Sequence, residues 1–169
     1  MITDEIRTSS GMFIERGADE VVRRIEARIA HWTQLPVVHG EAIQVLKYAI
    51  GQHYGPHWDV FEGNAQQGPD GDRIATVLIY LNSPKAGGET AFPRSFPPDD
   101  WHEQRGGADS WSKCGRLGVA ARAVAGDALL FFSLKPDGEP PPSDAAPRTL
   151  LDPFFESPPP PRGILAIRP

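Results

Sequence analysis

Arg73-Ile74-Ala75-Thr76-Val77-Leu78-Ile79-Tyr80-Leu81 is nearly continuous in apolar, β-branched and aromatic character. Such a run reads as a strand in the middle of a sheet. On its C-terminal side Glu89–Phe92, Val119–Val124 and Ala128–Leu134 are shorter runs of the same kind, and Ile43–Tyr48 precedes it; Gly, Pro, Asn and Asp separate them. Ala125-Gly126-Asp127 supplies a turn between the last two. Several strands after one helix predict a β-sandwich or barrel.

The helix is expected between Asp19 and Trp32. Val21, Val22, Ile25, Ile29 and Trp32 recur at helical spacing, with Glu20 and Arg24 as an i,i+4 pair on the other side. An apolar helical stripe ordinarily lies against a sheet, so core packing is its expected role. From Phe96 to Arg116, two Trp, three Gly and mixed charges follow no period, which reads as a long loop across the sheet.

The chain has 169 residues, the size of one domain with a core of its own. Its formal net charge of −5 gives no basic footprint for a nucleic-acid backbone or an anionic membrane. No stretch approaches the roughly 20 apolar residues that cross a bilayer, and Asp4, Glu5 and Arg7 stand where a secretory signal needs an apolar run. With Cys114 the single cysteine, no internal disulfide forms, a pattern equally at home in a cytosolic protein and in part of a secreted one. Composition changes after Leu134: eleven of the eighteen prolines lie between Pro136 and Pro169, four of them in the run Pro158–Pro161. Proline removes backbone donors and favours extended polyproline II, so no packed strand is expected there. The division that follows is a domain over 1–138 and a proline-rich, disordered tail over 139–169.

Gln52-His53-Tyr54-Gly55-Pro56-His57-Trp58-Asp59 carries the chemistry. Side chains at i and i+2 of an extended chain point the same way, so His57 and Asp59 are placed to grip one metal ion. Imidazole with carboxylate suits Fe(II), and one further histidine makes the facial triad that leaves positions open for a co-substrate and O₂. The ordinary alternative is a surface histidine beside a turn-forming aspartate.

Six blocks then resemble, in order and in one register, the catalytic domain of the prolyl 4-hydroxylases. They are IRTSSGMFI (6–14), GADEVVRRIEARIAHW (17–32), EAIQVLKYAIGQHYGPHWDVF (41–61), DRIATVLIYLN (72–82), GGETAFP (87–93) and AARAVAGDALLFFSLKPDG (120–138). The resemblance implies a mainly β fold with flanking helices, a double-stranded β-helix or jelly roll. It implies Fe(II), 2-oxoglutarate as co-substrate and ascorbate, with oxidation of C4 of a peptidyl proline in a proline-rich or collagen-like peptide while 2-oxoglutarate becomes succinate. It implies His57 and Asp59 as iron ligands, Tyr48 and Thr90 as residues that hold 2-oxoglutarate, and Tyr54 and Arg73 as residues facing the peptide groove. Tyr48 and Tyr54 also read as half-buried strand aromatics, Thr90 as a strand former, and Arg73 as a solvent-facing residue at a strand start. The family resides in the endoplasmic reticulum, whereas this chain shows neither signal nor anchor.

The chain also departs from the family pattern. The resemblance implies a second histidine ligand shortly after SLKPDG and, later, a lysine for the distal carboxylate of 2-oxoglutarate. Here the histidines are His31, His39, His53, His57 and His102, and the last lysine is Lys135. A second cysteine, which the family pairs with the one at Cys114, is also missing. The ending therefore reads as replaced as a unit, with the last strands of the jelly roll missing. A sheet edge exposed by that loss predicts marginal stability, and two ligands predict weak iron binding. Two alternatives follow: a hydroxylase of impaired activity, or an inactive remnant that still binds peptide. His53, His102 and Asp127 are candidates for a substitute ligand, and Arg148 and Arg162 for the lost lysine, although none has the matching position.

Overall fold

The computed structural model describes residues 7–57, 59, 73–136, 138, 149–151 and 164–167. Among the described residues nine strands form two antiparallel sheets. They are β1 (Ser10–Ile14), β2 (Ile43–Lys47), β3 (Tyr54–His57), β4 (Ala75–Tyr80), β5 (Thr90–Phe92), β6 (Val119–Ala121), β7 (Ala128–Phe132), β8 (Thr149–Leu151) and β9 (Ile164–Ile167), and one helix, α1 (Glu20–Thr33), follows β1. The larger sheet has the order β1-β2-β9-β4-β7 and the smaller β3-β8-β5-β6.

The period of two along each strand sorts the core. Ile43, Val45, Val77, Ile79 and Leu130 share the outer face of the larger sheet with Val22, Ile25 and Ile29 of α1. Leu46, Tyr48, Leu78, Leu129 and Phe131 form a second cluster, with Tyr54 of the smaller sheet packed against it. Phe131 meets Phe92 edge to face at 5.2 Å, so the two sheets are directly in contact. As expected, β4 is an interior strand, paired with β9 on one edge and β7 on the other, and its Ala75 and Val77 are fully buried.

Helix α1 begins where Asp19 accepts a hydrogen bond from the amide of Val22, an N-cap that satisfies one of the orphan donors of the first turn. Its apolar stripe is narrower than the spacing suggested. Val22 and Ile29 are buried, but Val21 and Trp32 are 62% and 48% exposed. Glu20 pairs with Arg23 at 3.3 Å rather than with Arg24. The strand expected over Val119–Val124 stops at Ala121. Beyond it Arg122 stacks over the Trp111 ring at 4.2 Å and donates to the Arg105 carbonyl and the Ser110 hydroxyl. These contacts fold the 96–116 loop into two short 3₁₀ turns around the buried Trp111.

The expectation that no packed strand follows Leu134 is corrected by β8 and β9. Both come from the proline-rich ending. Strand β9 lies between β2 and β4, with Leu46 opposite Ile164 and Leu78 opposite Ala166. Strand β8 lies between β3 and β5, with Leu151 opposite both Tyr54 and Thr90. The prolines exclude a ladder only where they stand. Thr149-Leu150-Leu151 and Ile164-Leu165-Ala166-Ile167 are proline-free apolar stretches between them, able to donate along both edges. The exposed edge expected from missing strands is likewise absent at these two positions, since each sheet is bridged there.

Candidate metal and co-substrate site

Strand β3 carries Tyr54 and His57, and the Tyr54 and His57 rings stack at 3.8 Å. A register shift between these two residues puts side chains three apart on one side of the strand. His57 Nδ1 lies 2.9 Å from the Gly55 carbonyl. A carbonyl only accepts, so Nδ1 carries the proton and the neutral ring keeps its lone pair on Nε2. That nitrogen faces Asp59 Oδ1 at 3.6 Å, with only 16% and 4% of the two side chains exposed. Two donors bound at about 2.1 Å to one ion stand roughly 3–3.4 Å apart in octahedral or tetrahedral geometry. Rotation of either side chain by a few tenths of an ångström brings this pair into that range.

Asp59 is fixed from two further directions. Thr76, on the inner face of β4, donates to Asp59 Oδ2 at 2.6 Å, a buried bond between residues seventeen apart. Arg73 Nη1 lies 3.9 Å from Asp59 Oδ1. Arg73 also grips Glu41 with two bonds, Nε to Oε1 at 2.6 Å and Nη2 to Oε2 at 3.1 Å. Burial alone disfavours the guanidinium charge, but the Glu41 bond and the Glu41 and Asp59 carboxylates outweigh it and the pKa is raised. Arg73 is therefore an arginine between two carboxylates, not a solvent-facing residue at a strand start. Replacing Thr76 by valine keeps the shape and removes a bond to a buried carboxylate, which costs about 1.5–3 kcal/mol. Urea unfolding of Thr76→Val at neutral pH should show a loss in that range, and Thr76→Ser should recover most of it.

Tyr48 and Thr90 are both buried, at 4% and 0% exposure. Tyr48 packs with Leu46 and Leu78, while Thr90 accepts a hydrogen bond of 2.7 Å from the Tyr80 hydroxyl. This bond crosses from the larger sheet to the smaller. Burial, helped by Asp127 and Glu89, pushes the Tyr80 hydroxyl up to about 12. A tyrosine in the unfolded chain ionises near 10. Between pH 10 and pH 12 the unfolded state therefore releases a proton that the folded state retains, and stability falls by about 2–3 kcal/mol over that window. The fall in wild type minus that in Tyr80→Phe, by denaturant unfolding at each pH, isolates this contribution.

Sequence reasoning missed Thr76, Tyr80 and Glu41. The period of two along β4 was the available signal for the first two, since Thr76 and Tyr80 share the face of Leu78; Glu41 had none. The substitute ligands considered do not join the pair. His102 Nε2 is bonded at 3.0 Å to the Gly115 carbonyl and its ring packs on Trp111. His53 is held at its backbone by Thr8, and Asp127 closes the β4–β7 turn through its carbonyl. Among the described residues no three His, Cys, Asp or Glu side chains converge. The pair alone does not make a facial triad, so the described donors do not fit a fully ligated Fe(II). Trp58, Arg148 and Arg162 lie outside the described residues.

A two-sheet sandwich with a His-x-Asp pair whose histidine ends the third strand defines a class. Residues 43–155 match the family model of the 2OG-Fe(II) oxygenase superfamily, and the chain belongs to that family. Curated homologues are prolyl 4-hydroxylases of Arabidopsis thaliana. Probable prolyl 4-hydroxylase 7 is 45% identical over 141 residues, covering 80% of this chain and 42% of that protein. Probable prolyl 4-hydroxylase 10 is 47% identical over 137 residues, covering 78% and 45%. The chain thus spans less than half the length of the curated relatives it matches. The solved viral collagen prolyl hydroxylase of Paramecium bursaria Chlorella virus 1, in its 2OG complex, superposes with a TM-score of 0.66 at 21% identity, over 96% of this chain and 79% of that one. A Pseudomonas putida prolyl-4-hydroxylase gives 0.54 at 19% identity, over 98% and 73%. These structures share the jelly-roll fold of the family.

Proposed function

We propose that the chain is a prolyl 4-hydroxylase-type domain whose site takes 2-oxoglutarate and a proline-rich or collagen-like peptide, and that these 169 residues do not by themselves sustain efficient hydroxylation. The observation that carries this is the His57–Asp59 pair, 3.6 Å apart and largely buried, with no third donor converging on it among the described residues. In the assignment His57 and Asp59 take the metal, Tyr48 and Thr90 the co-substrate, and Tyr54 and Arg73 the peptide. Support for the peptide roles is the stacking of Tyr54 on His57, which places it beside the proposed metal centre, and a guanidinium already oriented by Glu41. The protein's part in such chemistry is to position the substrate and exclude water, while the metal centre supplies the hard step. Ascorbate and a lumenal location in the endoplasmic reticulum accompany the assignment through likeness to the family alone.

Full prolyl 4-hydroxylase activity is the second possibility, favoured by the 44–47% identity to curated plant enzymes. It needs a third donor from outside the described residues. Succinate formation from 2-oxoglutarate, stimulated by a polyproline peptide and compared with His57→Ala, separates the two.

A further inference from the structure

We propose that the groove between β1 and the segment joining α1 to β2 is a second subsite for the proline-rich peptide, taking a polyproline II stretch that flanks the target proline. The proposal rests on the assignment of a peptide to this face of the sandwich.

Phe13, Ala42 and Ile74 form the floor of the groove, and the period of two along their strands decides which way they face. Their neighbours Ile14 and Ile43 pack against α1 on the outer face of the larger sheet. Thr76, two residues beyond Ile74, reaches Asp59 on the inner face. The floor therefore lies on the face that carries Asp59. Glu41 joins the two places, because it lines the groove and binds Arg73, whose Nη1 stands 3.9 Å from Asp59 Oδ1. A peptide that leaves the His57–Asp59 pair past Arg73 enters the groove next.

The cavity measures about 670 Å³, within the roughly 300–1,000 Å³ of ligand-binding clefts. Leu35, Pro36 and Val38 make its apolar wall. Phe13, Val38 and Ile74 are all exposed, so the groove holds an apolar surface that no described residue covers.

Polar groups around it select the occupant. The Pro36 carbonyl accepts from the His39 amide and the Val37 carbonyl from the Gly40 amide, each at 3.0 Å, in a 3₁₀ turn over Val37–His39. Both Glu41 carboxylate oxygens are taken by Arg73. These acceptors are engaged, whereas Arg16 is a donor at the rim: among the described residues it gives one N–H, to the Val37 carbonyl at 3.3 Å, and a guanidinium has five. An ordinary extended peptide brings an N–H at every residue and needs acceptors. Proline brings none, and a polyproline II helix has no internal hydrogen bonds, so its carbonyls are left to accept. Such a segment is already extended and loses little entropy on entering an apolar groove.

The test is fluorescence anisotropy of dye-labelled peptides titrated with the 169-residue chain. One polyproline peptide has about ten residues, spanning about 31 Å, and a second has about four. A glycine-serine peptide of the longer length is the control for chemistry. Wild type, Val38→Glu, Phe13→Ser, Tyr54→Leu and, outside the groove, Phe96→Ser are compared, with circular dichroism as the check on folding and sedimentation for the oligomeric state. The longer polyproline peptide is expected to bind wild type about tenfold more tightly than either other peptide. Val38→Glu and Phe13→Ser should remove that gain and leave the shorter peptide unchanged. Tyr54→Leu should weaken both polyproline peptides, and Phe96→Ser neither. Val38 is exposed, so its variant keeps the test open where Phe13→Ser does not fold.

Equal binding of the two polyproline peptides by wild type overturns the proposal, as does a Val38→Glu chain that binds the longer one like wild type. A glycine-serine peptide that binds as tightly as polyproline overturns the choice of occupant. Loss of a dimer in Val38→Glu with peptide affinity unaltered makes the groove an interface between copies and overturns it as well. If Tyr54→Leu weakens both polyproline peptides while Val38→Glu weakens neither, the subsite alone is wrong. If wild type binds neither, the peptide assignment falls with it.

Discussion

A chain truncated after Gly138 should show no cooperative unfolding transition, although it retains every block that resembles the prolyl 4-hydroxylases. The reason lies in strand order. Removing β9 cuts the larger sheet at its centre, taking three register pairs from β2 and four from β4. Removing β8 separates β3, which carries His57, from β5, which carries Thr90. Each lost backbone bond is worth about 1 kcal/mol net, and each buried side chain re-exposed, such as Leu46, Val77 or Leu78, about 1.5–3 kcal/mol. Their sum reaches the whole stability of a typical domain, about 5–15 kcal/mol. Thermal unfolding followed by circular dichroism compares the two chains. A truncated form that melts cooperatively near the full chain's midpoint would show that the ending adds nothing to the core.

Gly118→Ala should cost about 3 kcal/mol or more, a large effect for the addition of one methyl group. Gly118 has φ +155°, where an L side chain is strained, and a Cβ there would sit 2.2 Å from the Phe92 carbonyl oxygen and 3.0 Å from Ser95 Oγ. The backbone has to move. The Ser95 hydroxyl that would be displaced donates to the Phe92 carbonyl and accepts from the Val119 amide, so the shift reaches the β5–β6 pairing of Phe92 with Val119. Urea denaturation measures the loss. Because β5 also carries Thr90, proposed to hold 2-oxoglutarate, the variant should weaken that binding along with stability if the proposal holds.

Much of this fold was legible in the sequence for identifiable reasons. The apolar run at Ile74–Leu81 announced an interior strand, and Ile43–Tyr48 and Ala128–Leu134 were legible as strands from their apolar and aromatic content. The helix ended up one residue from where its periodicity placed it. The two strands of the ending were not legible, because the prolines around them dominate local propensity. What decides their state is the gap left between β2 and β4 and between β3 and β5, and that gap is tertiary. At the site, His57 and Asp59 could be paired from spacing alone. The contacts that orient Asp59 come from Thr76 and Arg73, which look in sequence like a strand former and a strand-start charge. Hydrogen bonds between residues seventeen apart leave no local pattern to read.

The decisive measurement is succinate formation from 2-oxoglutarate by the purified 169-residue chain with Fe(II), ascorbate and a polyproline peptide, run beside His57→Ala. Turnover no greater than that of His57→Ala is the expected result, consistent with a family scaffold in which His57 and Asp59, the two proposed metal donors, have no third His, Cys, Asp or Glu beside them among the described residues. Peptide-dependent succinate that disappears in His57→Ala would contradict it, and would mean that a third donor already completes the site.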